Sequence, residues 1–336
     1  MSQLLQDTPV QRRIPTGSKQ RGVGLVELLV GLVIGLVLSL AASALYLGTR
    51  ETARGSQAIT DVNETGKIAL DMIGREIQKA GFYPAQFGND WATNNQFAGA
   101  YYNGKDVTKP AFNAGLFGCD GANYDPNTMG CTTTAADKPD SIVINYFASP
   151  EFGSDSLLGN TNDCNRNKVA NDAANASRST AGLPLFVSNR FGIIAGTTYV
   201  DTDGNTVSAN NLGGHGNGLE ASSAQSALQG IDDLVIRYGL YSGDGSEQSP
   251  TDFLTAADVN AQPVVSGRTA WQRVTAVSVC VLVRSVSNGR QQDKTGSERT
   301  YTDCRGQTIS MPSGNRYVFK SFQRVYAVRN NLSAIL

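Results

Sequence analysis

The sequence predicts an α+β protein: a long N-terminal helix, membrane-spanning in its first half and amphipathic in its second, packed on an antiparallel β-sheet with long loops. Three observations predict it. Residues 28–47 carry no charge, apolar residues then recur at helical spacing as far as residue 80, and four segments of strand composition follow Pro84.

The uncharged run from Leu28 to Leu47 is twenty residues long. As a helix that is enough to cross a hydrocarbon core of ~30 Å. Arg12, Arg13, Lys19 and Arg21 precede it against one acid, Asp7. That asymmetry holds the N-terminus in the cytoplasm and sends the rest across the membrane. Ala-Ala-Ser-Ala at 41–44 imitates a secretory cleavage site. The helical pattern runs straight through it, however, and the run is long for a removable signal, so the segment is expected to be retained.

The helix is expected to continue past the membrane, over residues 23–80 in all. Ile59, Val62, Gly66, Ala69, Leu70, Ile73, Ile77 and Ala80 recur at three- and four-residue steps, with charged residues such as Asp61, Lys67, Asp71 and Glu76 between them. This is a helix that lays one stripe on a core. Gly81 then offers a C-cap and Pro84 a stop, and no proline interrupts residues 16–83. Gly48 and Gly55 are the places where it would bend or fray.

Residues 81–336 read as a β-rich domain. "SIVINYF" (141–147), "LVIRYGLY" (234–241), "VTAVSVCVLVRSV" (274–286) and "RYVFKSFQRVYAV" (316–328) have strand composition. In the third, Val277, Val279, Val281 and Val283 share one face and Ala276, Ser278, Cys280 and Leu282 the other. Two apolar faces suit a central strand with the helix on one side. "LPLFV" (183–187) and "FGIIAG" (191–196) are weaker strands, and the remainder of 86–139 and 148–230 reads as loop. No internal repeat is present.

Five cysteines in an exported domain imply disulfides with one thiol left over. Cys280 and Cys304 flank a polar connection and would staple a strand to the loop after it. Cys119 and Cys131 bracket a turn-rich loop, "DGANYDPNTMG", that can close on itself. Cys164 is then free, unless it pairs instead with Cys119 or Cys131.

Little else points to chemistry. With 28 basic and 29 acidic residues and a net charge of −1, nucleic-acid binding has no electrostatic support. "DTDGNT" opens like an EF-hand loop with Asp201, Asp203 and Asn205, but lacks the later glycine and glutamate, so an Asp-Gly hairpin turn is expected there. His215 in "GGHGNG" has no partner in view and reads as part of a flexible loop. Asp232 and Asp233 are adjacent on a strand and so point to opposite faces. No CxxC, P-loop, GxSxG or HExxH occurs. No catalysis, cofactor or metal site is expected.

One acid breaks the pattern. Glu27 stands at the start of the apolar run, where a charge near a bilayer centre costs about 2.5–3.5 kcal/mol. By itself it is explained as a helix-end carboxylate at headgroup level, favoured by the dipole. Its setting adds more: a basic leader ends in Gly22, and Val23, Gly24, Leu25 and Val26 precede Glu27. This resembles the processing signal of type IV prepilins, with a small departure at Val23, where the family most often has Phe. The resemblance implies that residues 1–22 are a cytoplasmic leader, that a prepilin peptidase cuts between Gly22 and Val23, and that Val23 becomes N-methylated. It also implies that Glu27 neutralises the α-amino group of a neighbouring subunit, which is cationic at neutral pH.

"MIGREIQKAGF", "GIDDLVIRYGLYSGDG", "WQRVTAVSVCVLVRS" and "FQRVYAVRNNL" further resemble segments of PilW-type minor pilins. That resemblance implies a pilin-like fold and a minor pilin that primes a type IV pilus or sits at its tip. Its partners would be other minor pilins, the major pilin, a tip adhesin and the prepilin peptidase. The chain would reside in the inner membrane with its C-terminal domain in the periplasm, and then in the extracellular pilus. The nearest competitor is the J-type pseudopilin of type II secretion. From a different class, a single-pass membrane-anchored periplasmic binding protein or enzyme would leave the Gly22–Val23 bond intact.

Overall fold

The structure is a computed structural model. It describes residues 22, 24–82, 101–102, 105–106, 115–125, 128, 130–135, 138–148, 162–169, 175–176, 180, 184–196, 198–200, 206–218, 224–242, 249–250, 252–286, 299–311 and 315–333. The chain divides into two compact units, residues 1–50 and 51–336. The first helix, α1 (Leu25–Ile77), contributes to both.

In the first unit α1 is exposed at every position from Leu25 to Arg50. By length and composition this helix can cross a membrane. In the second unit the helix buries Ala58, Val62, Gly66, Ala69, Leu70, Ile73, Gly74 and Ile77, a stripe with the spacing of one helical face. It closes through the backbone bonds Lys79→Glu76 and Ala80→Ile77, and Gly81 follows at φ 70°.

Along the second unit come β1 (Tyr101–Tyr102), β2 (Lys105–Asp106), β3 (Leu116–Cys119), β4 (Tyr124–Asp125), β5 (Gly130–Cys131) and β6 (Ser141–Ala148). Then follow β7 (Leu185–Ile194), β8 (Thr198–Val200), β9 (Thr206–Ser208), β10 (Asn211–Gly216), β11 (Gln225–Gln229) and β12 (Ile231–Leu240). The last are β13 (Asp252–Leu254), α2 (Ala256–Ala261), β14 (Val274–Arg284), β15 (Thr300–Thr302), β16 (Thr308–Ser310), β17 (Phe319–Ala327) and α3 (Arg329–Ser333).

A four-stranded antiparallel sheet has the order β13-β12-β14-β17. Its centre is β14, whose Val277, Val279, Val281 and Val283 are all essentially buried. The register sets Val277 between Tyr238 and Tyr326, and Val281 between Leu234 and Phe322. Phe322 and Tyr326 meet α1 at its two buried glycines. A Cβ on Gly66 would lie 2.3 Å from the Phe322 ring, and one on Gly74 would lie 2.1 Å from the Tyr326 ring. The Tyr326 hydroxyl donates to the Leu70 carbonyl at 2.6 Å. Glycine at these positions lets the two rings lie directly on the helix backbone.

The second sheet, β11-β10-β7-β6-β3, has five strands and lies mostly in sequence that reads as loop. The two weak candidates at 183–187 and 191–196 are one strand, β7, which runs unbroken through Asn189 and Arg190. β10 is "NLGGHG", with all six residues buried. Its glycines hide it from propensity, since they lack the branched side chains that mark strands. They are needed for contact: a Cβ on Gly216 would lie 2.1 Å from the Asp163 side chain.

Asp140 ties the sheets together. One carboxylate oxygen accepts the Gly121 N–H and the other the Ile236 N–H, both at 2.8 Å, and Arg237 pairs with it at 3.3 Å. Burial pushes its pKa up despite these donors. Beside it Trp271 meets Tyr238 edge-on at 4.9 Å and Phe117 at 5.3 Å. Two disulfides tie buried strand cysteines to the segments after them, Cys119–Cys131 and Cys280–Cys304, and Cys164 is a free thiol.

Candidate functional site

The N-terminal end of α1 is built by its own backbone. Gly22 is exposed and Val23 lies outside the described residues. The Gly24 carbonyl accepts the N–H groups of Glu27 at 2.9 Å and Leu28 at 3.2 Å, which opens the helix. Glu27 is therefore the acid of the first turn, exposed, where the helix dipole favours negative charge. The next charge along the chain is Arg50. A lone carboxylate on an apolar cylinder is a strong acceptor for a cation presented by another apolar surface, because little else there competes for it.

At the other end of α1, Glu76 fastens the helix to the second sheet. Its carboxylate pairs with Lys79 at 2.7 Å, accepts from the Asn189 amide at 2.8 Å and from the Tyr146 hydroxyl at 3.3 Å. Burial, and next the Glu76 charge, raise the Tyr146 pKa, so the phenol stays a donor. Sequence reasoning placed Glu76 among the solvated charges of the helix. Two of its partners, Asn189 and Tyr146, come from strands more than sixty residues away, and no local pattern reveals them. Exposed contacts flank it: Arg324 with Asp71 at 2.9 Å and Lys320 with Asn63 at 2.9 Å.

Around this anchor lies a buried polar layer. The Cys164 N–H donates to Asn189 at 2.9 Å, and burial, then Asp163 and Glu76, push the Cys164 thiol up to about 12. Such a thiol is inert at neutral pH. His215, expected in a flexible loop, instead lies buried on β10 with Nδ1 against the Arg190 guanidinium. Burial first and Arg190 second lower its pKa to about 4.

A pH effect follows from that environment. The unfolded chain takes up a proton on His215 below about pH 6.5 while the folded protein resists until about pH 4. The unfolded state thus binds more protons across this window, and stability falls as pH is lowered through it, by on the order of 2–3 kcal/mol. Denaturation midpoints measured between pH 7 and 4 should fall more steeply for wild type than for His215→Gln. Parallel curves would show that His215 does not titrate in this way.

Two further sequence readings change or gain context. The residues 201–205 lie outside the described residues, but β8 and β9 on either side pair antiparallel, with Val200 opposite Thr206. Asp232 and Asp233, expected on opposite faces, line one cavity. The register of β12 on β14 shifts between Ile231 and Asp233, a bulge that brings both acids to one cavity. Asp232 pairs there with Arg284 at 3.1 Å and Asp233 with Arg305. Among the described residues, no group of three or more His, Cys, Asp or Glu is placed to hold a metal ion.

Comparison with known proteins bears on both ends of the chain. Residues 17–43 match the prokaryotic N-terminal methylation motif, and residues 199–330, from β8 to α3, match the family described as type IV pilus-assembly protein W. None of the curated proteins matches the chain. Among solved structures, a type IV-like pilin from Thermus thermophilus, TTHA1219, aligns over 80% of this chain and 96% of its own, at 9% identity and a TM-score of 0.35. The methylation motif over the start of α1 and the pilus-assembly match over the C-terminal strands make this chain similar, at both ends, to PilW-type type IV pilins.

Proposed function

We propose that this membrane-anchored pilin is a minor pilin that primes a type IV pilus or is carried at its tip, and that Glu27 docks it by pairing with the terminal amine of a neighbouring subunit. In this reading prepilin peptidase removes residues 1–22, and Val23 becomes the methylated first residue. The chain has no catalytic role. Its partners are other minor pilins, the major pilin and a tip adhesin, reached from the inner membrane with the β-rich domain in the periplasm.

The observation that carries the reading is the placement of Glu27: one exposed acid in the first turn of a helix with no further charge until Arg50. In a bundle of such helices a buried ion pair adds little net stability, but leaving either charge unpaired is strongly penalised. The pair would therefore select one axial register over others.

Glu27→Ala should leave membrane retention unchanged and leave processing largely intact, since Gly22 and the basic leader remain. In a strain lacking the native gene the variant should accumulate as processed protein, while pilus number falls or the protein disappears from sheared pili. Glu27→Gln keeps shape and hydrogen bonding without charge and should fail similarly. Full piliation with both variants would mean that the carboxylate is only a helix-dipole residue.

A further inference from the structure

The β15–β16 hairpin lies over the end of the four-stranded sheet, pinned by Cys280–Cys304 and by Arg305, which also donates to the Lys138 carbonyl at 3.0 Å. Beneath it is a cavity of about 550 Å³, within the ~300–1,000 Å³ of small-molecule sites. Asp232 and Asp233 of the bulge and Arg284 line it from the sheet, and Tyr301, Asp303 and Gln307 line it from the hairpin.

Its polar groups are fixed in place by their own partners. Asp232 pairs with Arg284, whose Nη2 donates to the Ser208 carbonyl at 2.6 Å. Asp233 pairs with Arg305 and accepts the Leu234 N–H at 2.9 Å. Asp303 accepts the N–H groups of Arg305 at 2.9 Å and Gln307 at 2.7 Å. Tyr301 is stacked on Phe319 at 4.7 Å and 12°, and burial and the nearby Asp232 raise its pKa, so its hydroxyl stays protonated.

In each of the two ion pairs the charges offset. The remaining carboxylate, Asp303, is occupied by the backbone N–H groups of Arg305 and Gln307, so little is left for an ionic ligand to complement. What remains is a set of donors and acceptors in fixed planes, interleaved with the apolar side chains of Leu282 and Ile309. A ligand hydroxyl both donates and accepts, so it can bridge a carboxylate and a guanidinium that are already paired. A sugar ring adds C–H surface for the apolar patches. We propose that this cavity binds a neutral polyhydroxylated ligand, a short saccharide, at the hairpin end of the sheet. The site is independent of Glu27 and of assembly.

The test uses the full chain in a detergent without a sugar headgroup. Saturation-transfer NMR is run with maltotriose, lactose and N,N′-diacetylchitobiose, and with arginine and citrate as ionic controls. Transfer to at least one saccharide is expected, with affinity falling about tenfold or more in Gln307→Ala and Asp232→Asn. That size corresponds to the loss of one hydrogen bond to the ligand. Gln307 is exposed on the hairpin, so its variant decides the matter should Asp232→Asn fail to fold. No transfer to any saccharide, transfer only to arginine or citrate, or saccharide binding undiminished in the folded variants would each overturn the assignment.

Discussion

Gly74→Val should destabilise the β-rich unit by about 3 kcal/mol, although valine is the better helix former. Removing glycine from a helix interior gains ~0.5 kcal/mol of propensity. Against that, the new Cβ would lie 2.1 Å from Cε1 of Tyr326. That ring cannot swing away freely: it is buried on β17 and its hydroxyl is held by the Leu70 carbonyl. Helix and sheet must separate, and overpacking of this kind costs about 1–3 kcal/mol or more. A double-mutant cycle isolates the cause. Gly74→Ala should destabilise wild type but have little effect, or help, once Tyr326→Ala has emptied the space. Equal costs in both backgrounds would mean that the glycine serves something other than close approach.

Opening the Cys280–Cys304 bridge should cost about as much. The bridge spans 24 residues of sequence, and the chain-entropy account gives ~3–4 kcal/mol for a loop of this size. Cys280 is buried in the central strand, and the bridge reinforces the Arg305–Asp233 pair in holding the hairpin. Cys280→Ser with Cys304→Ser should therefore lower the denaturant midpoint strongly, and should also release the hairpin to faster hydrogen exchange. A change below ~1 kcal/mol would show that Arg305 and the β15–β16 pairing hold it unaided.

What was legible in the sequence follows the physics of each element. β6, β12, β14 and β17 announce themselves through branched and aromatic residues, and the helix through its apolar spacing. The residues proposed for processing and docking, Gly22, Val23 and Glu27, stand out because a charge beside an apolar run is costly and so conspicuous. The five-stranded sheet was not readable. β10 carries glycine where strands usually carry branched residues, and β7 carries Asn189 and Arg190 in its middle because they serve the buried polar layer. Glu76 looks like any surface acid until Asn189 and Tyr146 are folded against it. The shared cavity of Asp232 and Asp233 depends on a bulge, and a bulge changes which side chains share a face without leaving a mark in the alternation.

Everything proposed for assembly rests on how the chain begins once it is mature, and intact-mass and N-terminal peptide mass spectrometry of protein from the inner membrane and from sheared pili measures that directly. The account predicts a chain starting at Val23 with one added methyl group on its α-amine, and an uncleaved precursor for Gly22→Val. A mature chain starting near Ser43 or Leu45, or a wild-type chain that keeps residues 1–22, would contradict it.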